Sequence, residues 1–174
     1  MSLKKGFTLI ELLIVIAILA VLMVVLLVAI NPVENIAKAR DASRITAIEQ
    51  LGKSLSSYII ANNTLPDMGT WDSDLVATGQ PASFPGGVHY VVTGSTGCTS
   101  NARPNALPTF CYDADIVLRG AIVYSIMESA SHTSLCTLIG RTYFVYSTLD
   151  GHGGLICSAN DPVTWDKGTM IYVK

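Results

Sequence analysis

The sequence predicts an α+β protein in which a long N-terminal helix, half membrane-length and half amphipathic, packs on a C-terminal antiparallel β-sheet head. Three observations carry that reading. Residues 12–30 form an unbroken run of 19 apolar residues, a helix-spaced amphipathic pattern follows at once, and β-rich runs separated by Gly, Asn and Asp occupy the C-terminal half. No strand–helix alternation suggests a parallel sheet, and no internal repeat is evident.

The chain divides into residues 1–6, a short basic leader; 7–30, a membrane and assembly helix; 31–62, its amphipathic continuation; and 63–174, an extracellular β head with disulfides. As a helix, Phe7 to Ile30 extends about 36 Å, enough to cross a hydrocarbon core of about 30 Å. Lys4 and Lys5 lie on its short side, so the positive-inside rule places the N-terminus in the cytoplasm and the remainder outside. A cleavable secretory signal would have an apolar region of about 7–15 residues and a small-residue cleavage site. The run here is longer, and Leu27-Val28-Ala29 is a poor site.

From Pro32 to about Ile60, apolar Ile36, Ile45, Ile48, Leu51, Leu55, Tyr58 and Ile59 advance mostly by three or four. Glu34, Lys38, Arg40, Asp41, Arg44 and Glu49 are assigned to the opposite, polar face. Asn31-Pro32 lies at the junction of the two helical patterns; the proline either opens a second helix or kinks one continuous helix. Asn62-Asn63 and Pro66 mark the stop, and Asn62-Asn63-Thr64 also fits a glycosylation sequon.

Residues 63–87, rich in Pro, Gly, Ser, Thr and Asp, read as a long surface loop. Strands are expected at 89–93, 109–113, 121–127 and 141–148, with a short final pair at 155–157 and 170–173. Trp71, Trp165 and the alternating Tyr143, Phe144 and Tyr146 are expected to pack the core.

Cys98, Cys111, Cys136 and Cys157 all lie on the exported side, and an even count there reads as two disulfides. Three connectivities are open; neighbour pairing, Cys98–Cys111 and Cys136–Cys157, is the expectation because it closes short loops. Bridged sulfurs leave no thiolate, so a nucleophilic Cys157 with His152, His89 or His132 as base is set aside and no enzyme activity is expected. The formal net charge of −2, with Arg103, Arg119, Arg141 and Lys167 scattered, gives no footing for nucleic acid. No cofactor is expected; Asp150, Asp161 and Asp166 are weak calcium candidates, since aspartates in turns commonly cap local N–H groups instead.

One residue resists this plain account. Glu11 sits inside the apolar run, where a carboxylate costs roughly 2.5–3.5 kcal/mol on insertion scales. A side chain so near the membrane end could snorkel to the interface.

The stretch Lys4-Lys5-Gly6-Phe7-Thr8-Leu9-Ile10-Glu11, continuing apolar to Ile18, resembles the type IV pilin and pseudopilin superfamily, whose members carry a class III signal peptide. The resemblance is strong over about the first 30 residues and covers only general layout beyond residue 65. It implies a pilin-like fold and cleavage by prepilin peptidase between Gly6 and Phe7, with N-methylation of Phe7. It also implies that Glu11 pairs with the Phe7 amine of a neighbouring subunit during assembly. The chain departs from the family in having Val28 near a common proline position and Ala20 at a common glycine position.

The function implied is a structural subunit of an extracellular type IV pilus. The alternatives are a major pseudopilin of type II secretion, a class that binds calcium near its C-terminal turns, or an anchored extracellular ligand-binding domain. Implied partners are other copies in a homo-oligomeric helical filament, prepilin peptidase, an assembly platform and its ATPase. The precursor would reside in the inner or cytoplasmic membrane, and the product would be a filament on the cell surface.

Overall fold

The computed structural model describes residues 6–67, 70–79, 110–115, 119–136, 140–159, 162, 172 and 173. It is α+β: a long apolar N-terminal helix precedes a four-stranded antiparallel sheet. The chain separates into two compact units, Met1–Ile36 and Ala37–Lys174. The expected strand at 89–93, together with Cys98, Arg103, Trp165 and Lys167, lies outside the described residues.

Helix α1 runs Leu9–Ile30 and helix α2 Pro32–Asn62. Asn31 alone separates them, in the left-handed region at φ 44°. Its side-chain oxygen accepts from the Glu34 N–H at 3.4 Å, and Pro32 occupies the first helical position, where its missing N–H costs nothing. Of the two sequence readings, proline therefore opens a second helix.

In the second unit, strands β1 (Cys111–Asp115), β2 (Gly120–Ile126), β3 (Arg141–Ser147) and β4 (His152–Ser158) form an antiparallel meander in chain order. Tyr172 adds an isolated bridge to Ile156 on β4. Alternation sends successive side chains to opposite faces. Tyr112, Ala121, Val123, Phe144 and Tyr146 pack with Ala47, Ile48, Leu51 and Leu55 of α2. On the other face Cys111, Ile122, Tyr124, Tyr143, Val145 and Ile156 form a second cluster, so the alternating aromatics of β3 serve both cores.

The residues expected to be one long loop contain helix α3 (Trp71–Ala77). Its Trp71 and Leu75 are buried, and Trp71 stacks on Tyr112 with ring centroids 5.2 Å apart. The loop reading failed because two apolar residues four apart secured the segment to the core despite its polar, Gly- and Pro-rich composition. A second short helix, α4 (Ala130–Thr133), and a 3-10 turn, Ser134–Cys136, lie between β2 and β3.

A larger correction concerns α2. Asp41 and Arg44, assigned from periodicity to the solvated face, are buried at 0% and 3% exposure. Asp41 accepts from the Glu128 and Ser129 N–H groups, both at 2.9 Å, and from the Ser129 hydroxyl at 2.7 Å; His132 Nδ1 lies 2.8 Å away. Arg44 lies 3.3 Å from Asp41, donates to the Ile126 carbonyl at 3.1 Å and also pairs with Glu128. Burial pushes the Asp41 pKa upward, but hydrogen bonds from His132, Ser129 and Glu128 outweigh it and hold the carboxyl below its ordinary value.

Gly52 on α2 meets the Tyr146 ring so closely that any Cβ would overlap Cγ and Cδ1. Gly52→Ala should therefore lower stability by about 1–3 kcal/mol from overpacking, less up to about 1 kcal/mol recovered through helix propensity. Chemical denaturation of the variant would check this; wild-type stability would show that Tyr146 yields.

Asp113, half-buried and paired in register with Ile122, has its pKa pushed from 3.8 to about 6 by burial, with Asp115 adding and the Ala114 N–H partly offsetting. The folded chain thus binds this proton more tightly than the unfolded chain. Between pH 3.8 and about 6, this group's contribution to stability rises as pH falls. Asp113→Asn should flatten that part of the pH–stability profile and raise stability at pH values above that window, measured by denaturant unfolding across pH. An unchanged profile would contradict the assignment.

Candidate functional site

The site begins where the backbone leaves an extended conformation for helix α1. Thr8 is the N-cap, with φ −80° and ψ 151°, and Glu11 is the third helical residue. The Thr8 hydroxyl oxygen accepts from the Glu11 N–H at 3.3 Å. In return, the Thr8 N–H and hydroxyl donate to Glu11 Oε2 at 2.8 and 2.7 Å. This reciprocal capping box satisfies donors that the first helical turn would otherwise leave open. It also places the carboxylate at the positive end of the helix dipole.

Both side-chain bonds converge on Oε2, and among the described residues Glu11 Oε1 accepts no hydrogen bond. The local arrangement can therefore hold the carboxylate in place while leaving one oxygen to receive a donor. Phe7 immediately precedes the cap and is 82% exposed. Gly6, before it, has open space where a Cβ would be.

Thr8 was absent from the candidate residues read from sequence, although its signal was present. Thr8-Leu9-Ile10-Glu11 is a threonine followed three residues later by glutamate at the head of an apolar run. The capping box supplies what the snorkelling account of Glu11 lacked, a local partner within the apolar stretch.

Beyond the cap, the described side chains of α1 from Leu9 to Leu26 are exposed, and this segment is long and apolar enough to cross a membrane. Contiguous apolar exposure on this scale requires lipid or another apolar helix around it. Asn31 caps the other end of α1 and Pro32 opens α2, both away from the Glu11 cap along the chain.

The remaining candidates separate into the head and the undescribed residues. Cys136 and Cys157 form a disulfide, with Cα atoms 5.3 Å apart, joining the 3-10 turn to β4. Cys111 is also disulfide-bonded; Cys98, its expected partner, lies outside the described residues. Asp150, in the β3–β4 turn, accepts from the Tyr172 hydroxyl at 3.0 Å, while Asp161 and Asp166 are not described. Among the described residues no group of three or more metal-ligating side chains is brought together.

Among the described residues the catalytic pairing considered from sequence does not assemble. The Cys157 sulfur is bridged, His132 is held by Asp41, and exposed His152 packs its ring at 4.8 Å from that of Tyr172. His89 lies outside the described residues.

Comparison with known proteins bears on the N-terminal site. Residues 1–27 match the family described as the prokaryotic N-terminal methylation motif. No curated protein and no solved structure matches this chain. The matched residues contain the Gly6–Phe7 step, the Thr8–Glu11 box and most of the exposed apolar helix. Together the motif and the helix fit a membrane-anchored precursor processed by prepilin peptidase. Over residues 1–27 the chain thus matches the class III signal peptide found in type IV pilin-like proteins.

Proposed function

We propose that this chain is the structural subunit of an extracellular type IV pilus, cleaved between Gly6 and Phe7, methylated at Phe7 and assembled through α1. The observation that carries the reading is the capped Glu11 at the head of an exposed apolar helix, directly after Gly6–Phe7. Cleavage there removes the basic leader and leaves the anchor intact. It also creates a cationic amine at Phe7, within the same apolar zone as Glu11.

In a filament, an axial stagger between neighbouring helices brings the Phe7 amine of one copy to the Glu11 carboxylate of the next. Two charges that are each costly in hydrocarbon become one pair, and the register of the incoming subunit is selected. Thr8 holds Oε2, so the carboxylate can accept the amine through Oε1 without giving up its helix cap. The implied partners are prepilin peptidase, an assembly platform with its ATPase, and further copies of the chain. The precursor resides in the cytoplasmic membrane and the filament outside the cell.

The N-terminal peptide of the purified filament subunit should begin at Phe7 and carry the mass of one added methyl group. A mature chain that begins at Met1 or near Ile30 would refute the processing step.

Glu11→Val should leave membrane insertion and cleavage intact, because it removes a charge from the apolar run and lies outside the leader. Filament yield should nevertheless fall sharply, since the neighbour's Phe7 amine would be buried unpaired at a cost of about 3–5 kcal/mol. Sheared filaments quantified beside the processed membrane pool give the comparison. Wild-type yield would end the pairing account.

A further inference from the structure

The described residues between β2 and β3 form only short local structure, held internally by hydrogen bonds around Ser129 and Ser131. Helix α4 has four residues and the 3-10 turn three. Isolated helices shorter than about 12–15 residues are marginal in water. Yet, among the described residues, this connection supplies every group, apart from Arg44, that meets the buried carboxylate of Asp41. These are the Glu128 and Ser129 N–H groups, the Ser129 hydroxyl and His132 Nδ1. The Asp41 clamp therefore depends on whatever keeps Glu128 to His132 in place.

Two further attachments lie along one line through the sheet. The Thr142 hydroxyl donates to the His132 carbonyl at 2.9 Å, and the Thr142 carbonyl accepts from the Met127 N–H at 2.9 Å. Thr142 is the register partner of Cys157 on β4. Cys157 is bridged to Cys136 at the end of the 3-10 turn. Asp41 thus holds the beginning of the segment, Thr142 its middle and the disulfide its end.

We propose that closure of the Cys136–Cys157 bridge sets the Asp41 clamp, making attachment of α2 to the β2–β3 connection dependent on oxidation. With both thiols reduced, the end of the 3-10 turn is untethered and α4 frays. The donors from Glu128 to His132 then no longer converge on Asp41. A carboxylate buried beside Arg44 alone is poorly satisfied, so the α2 corner loosens with it.

In the setting step, the two thiols give up two protons and two electrons to the disulfide of an exported thiol oxidant. A sulfur–sulfur bond forms between Cys136 and Cys157, and the oxidant leaves as its dithiol. Cys157 is partly exposed and Cys136 buried, so the oxidant engages Cys157 first. An oxidising compartment is the setting in which such a bridge forms and persists. This assignment does not depend on filament formation.

Hydrogen exchange on the full chain in detergent micelles tests it, with the Cys136→Ser/Cys157→Ser variant compared to oxidised wild type. Amides of Glu128 and Ser129 should exchange roughly tenfold faster or more in the serine pair, while the β2–β3 ladder keeps its protection. Asp41→Asn, with both disulfides verified by thiol counting, should show the same local loss while the bridge remains closed. Unchanged protection at Glu128 and Ser129 in either variant would overturn the proposal. Uniform loss across the β2–β3 ladder in the serine pair would overturn it too, because the bridge would then hold the whole sheet.

Discussion

A carboxylate removed from water must recover nearly all of its hydrogen bonds from protein, and Asp41 recovers most of them from one short stretch, Glu128 to His132. That requirement organises the corner of the head. It determines where α2 meets the sheet connection and orients Ser129 as both backbone and side-chain donor. Arg44 occupies the remaining side and carries the network on to Glu128 and Ile126. The apolar packing of Ile48, Leu51 and Leu55 is non-directional by comparison. It favours burial of α2, whereas the carboxylate selects one register of the helix against the sheet.

The N-terminal unit follows the opposite rule. Along α1 the described side chains face outward and are apolar, and the polar groups that exist are gathered at its first turn. There Thr8 and Glu11 satisfy each other's side chain and backbone N–H. A charge in an apolar segment is tolerable at that point because the helix terminus already presents positive potential and free N–H groups. The same carboxylate placed near the middle of α1 would meet only carbonyl-satisfied backbone and hydrocarbon.

Close backbone approach gives the head its compactness. Gly52 admits the face of Tyr146 to the surface of α2, and Gly153 does the same for Phe144 beside β4. Helix α3 adds Trp71 over Tyr112, whose hydroxyl donates to the Pro66 carbonyl at 3.1 Å. Buried Trp71 and Leu75, with the Tyr112 hydroxyl bond, thereby help secure the chain after α2 to the core, although its composition is that of a loop.

The apolar helix, a weak point at Asn31-Pro32, antiparallel strands joined by turns and the alternation of aromatics along β3 could all be read locally, because each is a pattern with its own period or turn chemistry. The candidate N-terminal site is local in the same way. Gly6, Phe7 and Glu11 were legible, and Thr8 could have been, since a capping box lies within four consecutive residues. The roles of Asp41, Arg44, Ser129 and His132 were decided only by the tertiary structure. Their partners are 82–91 residues apart in the chain, so helical periodicity could count Asp41 and Arg44 only as polar. Helix α3 was hidden for the same reason: what holds Trp71 is Tyr112, and no local pattern records a contact across that distance.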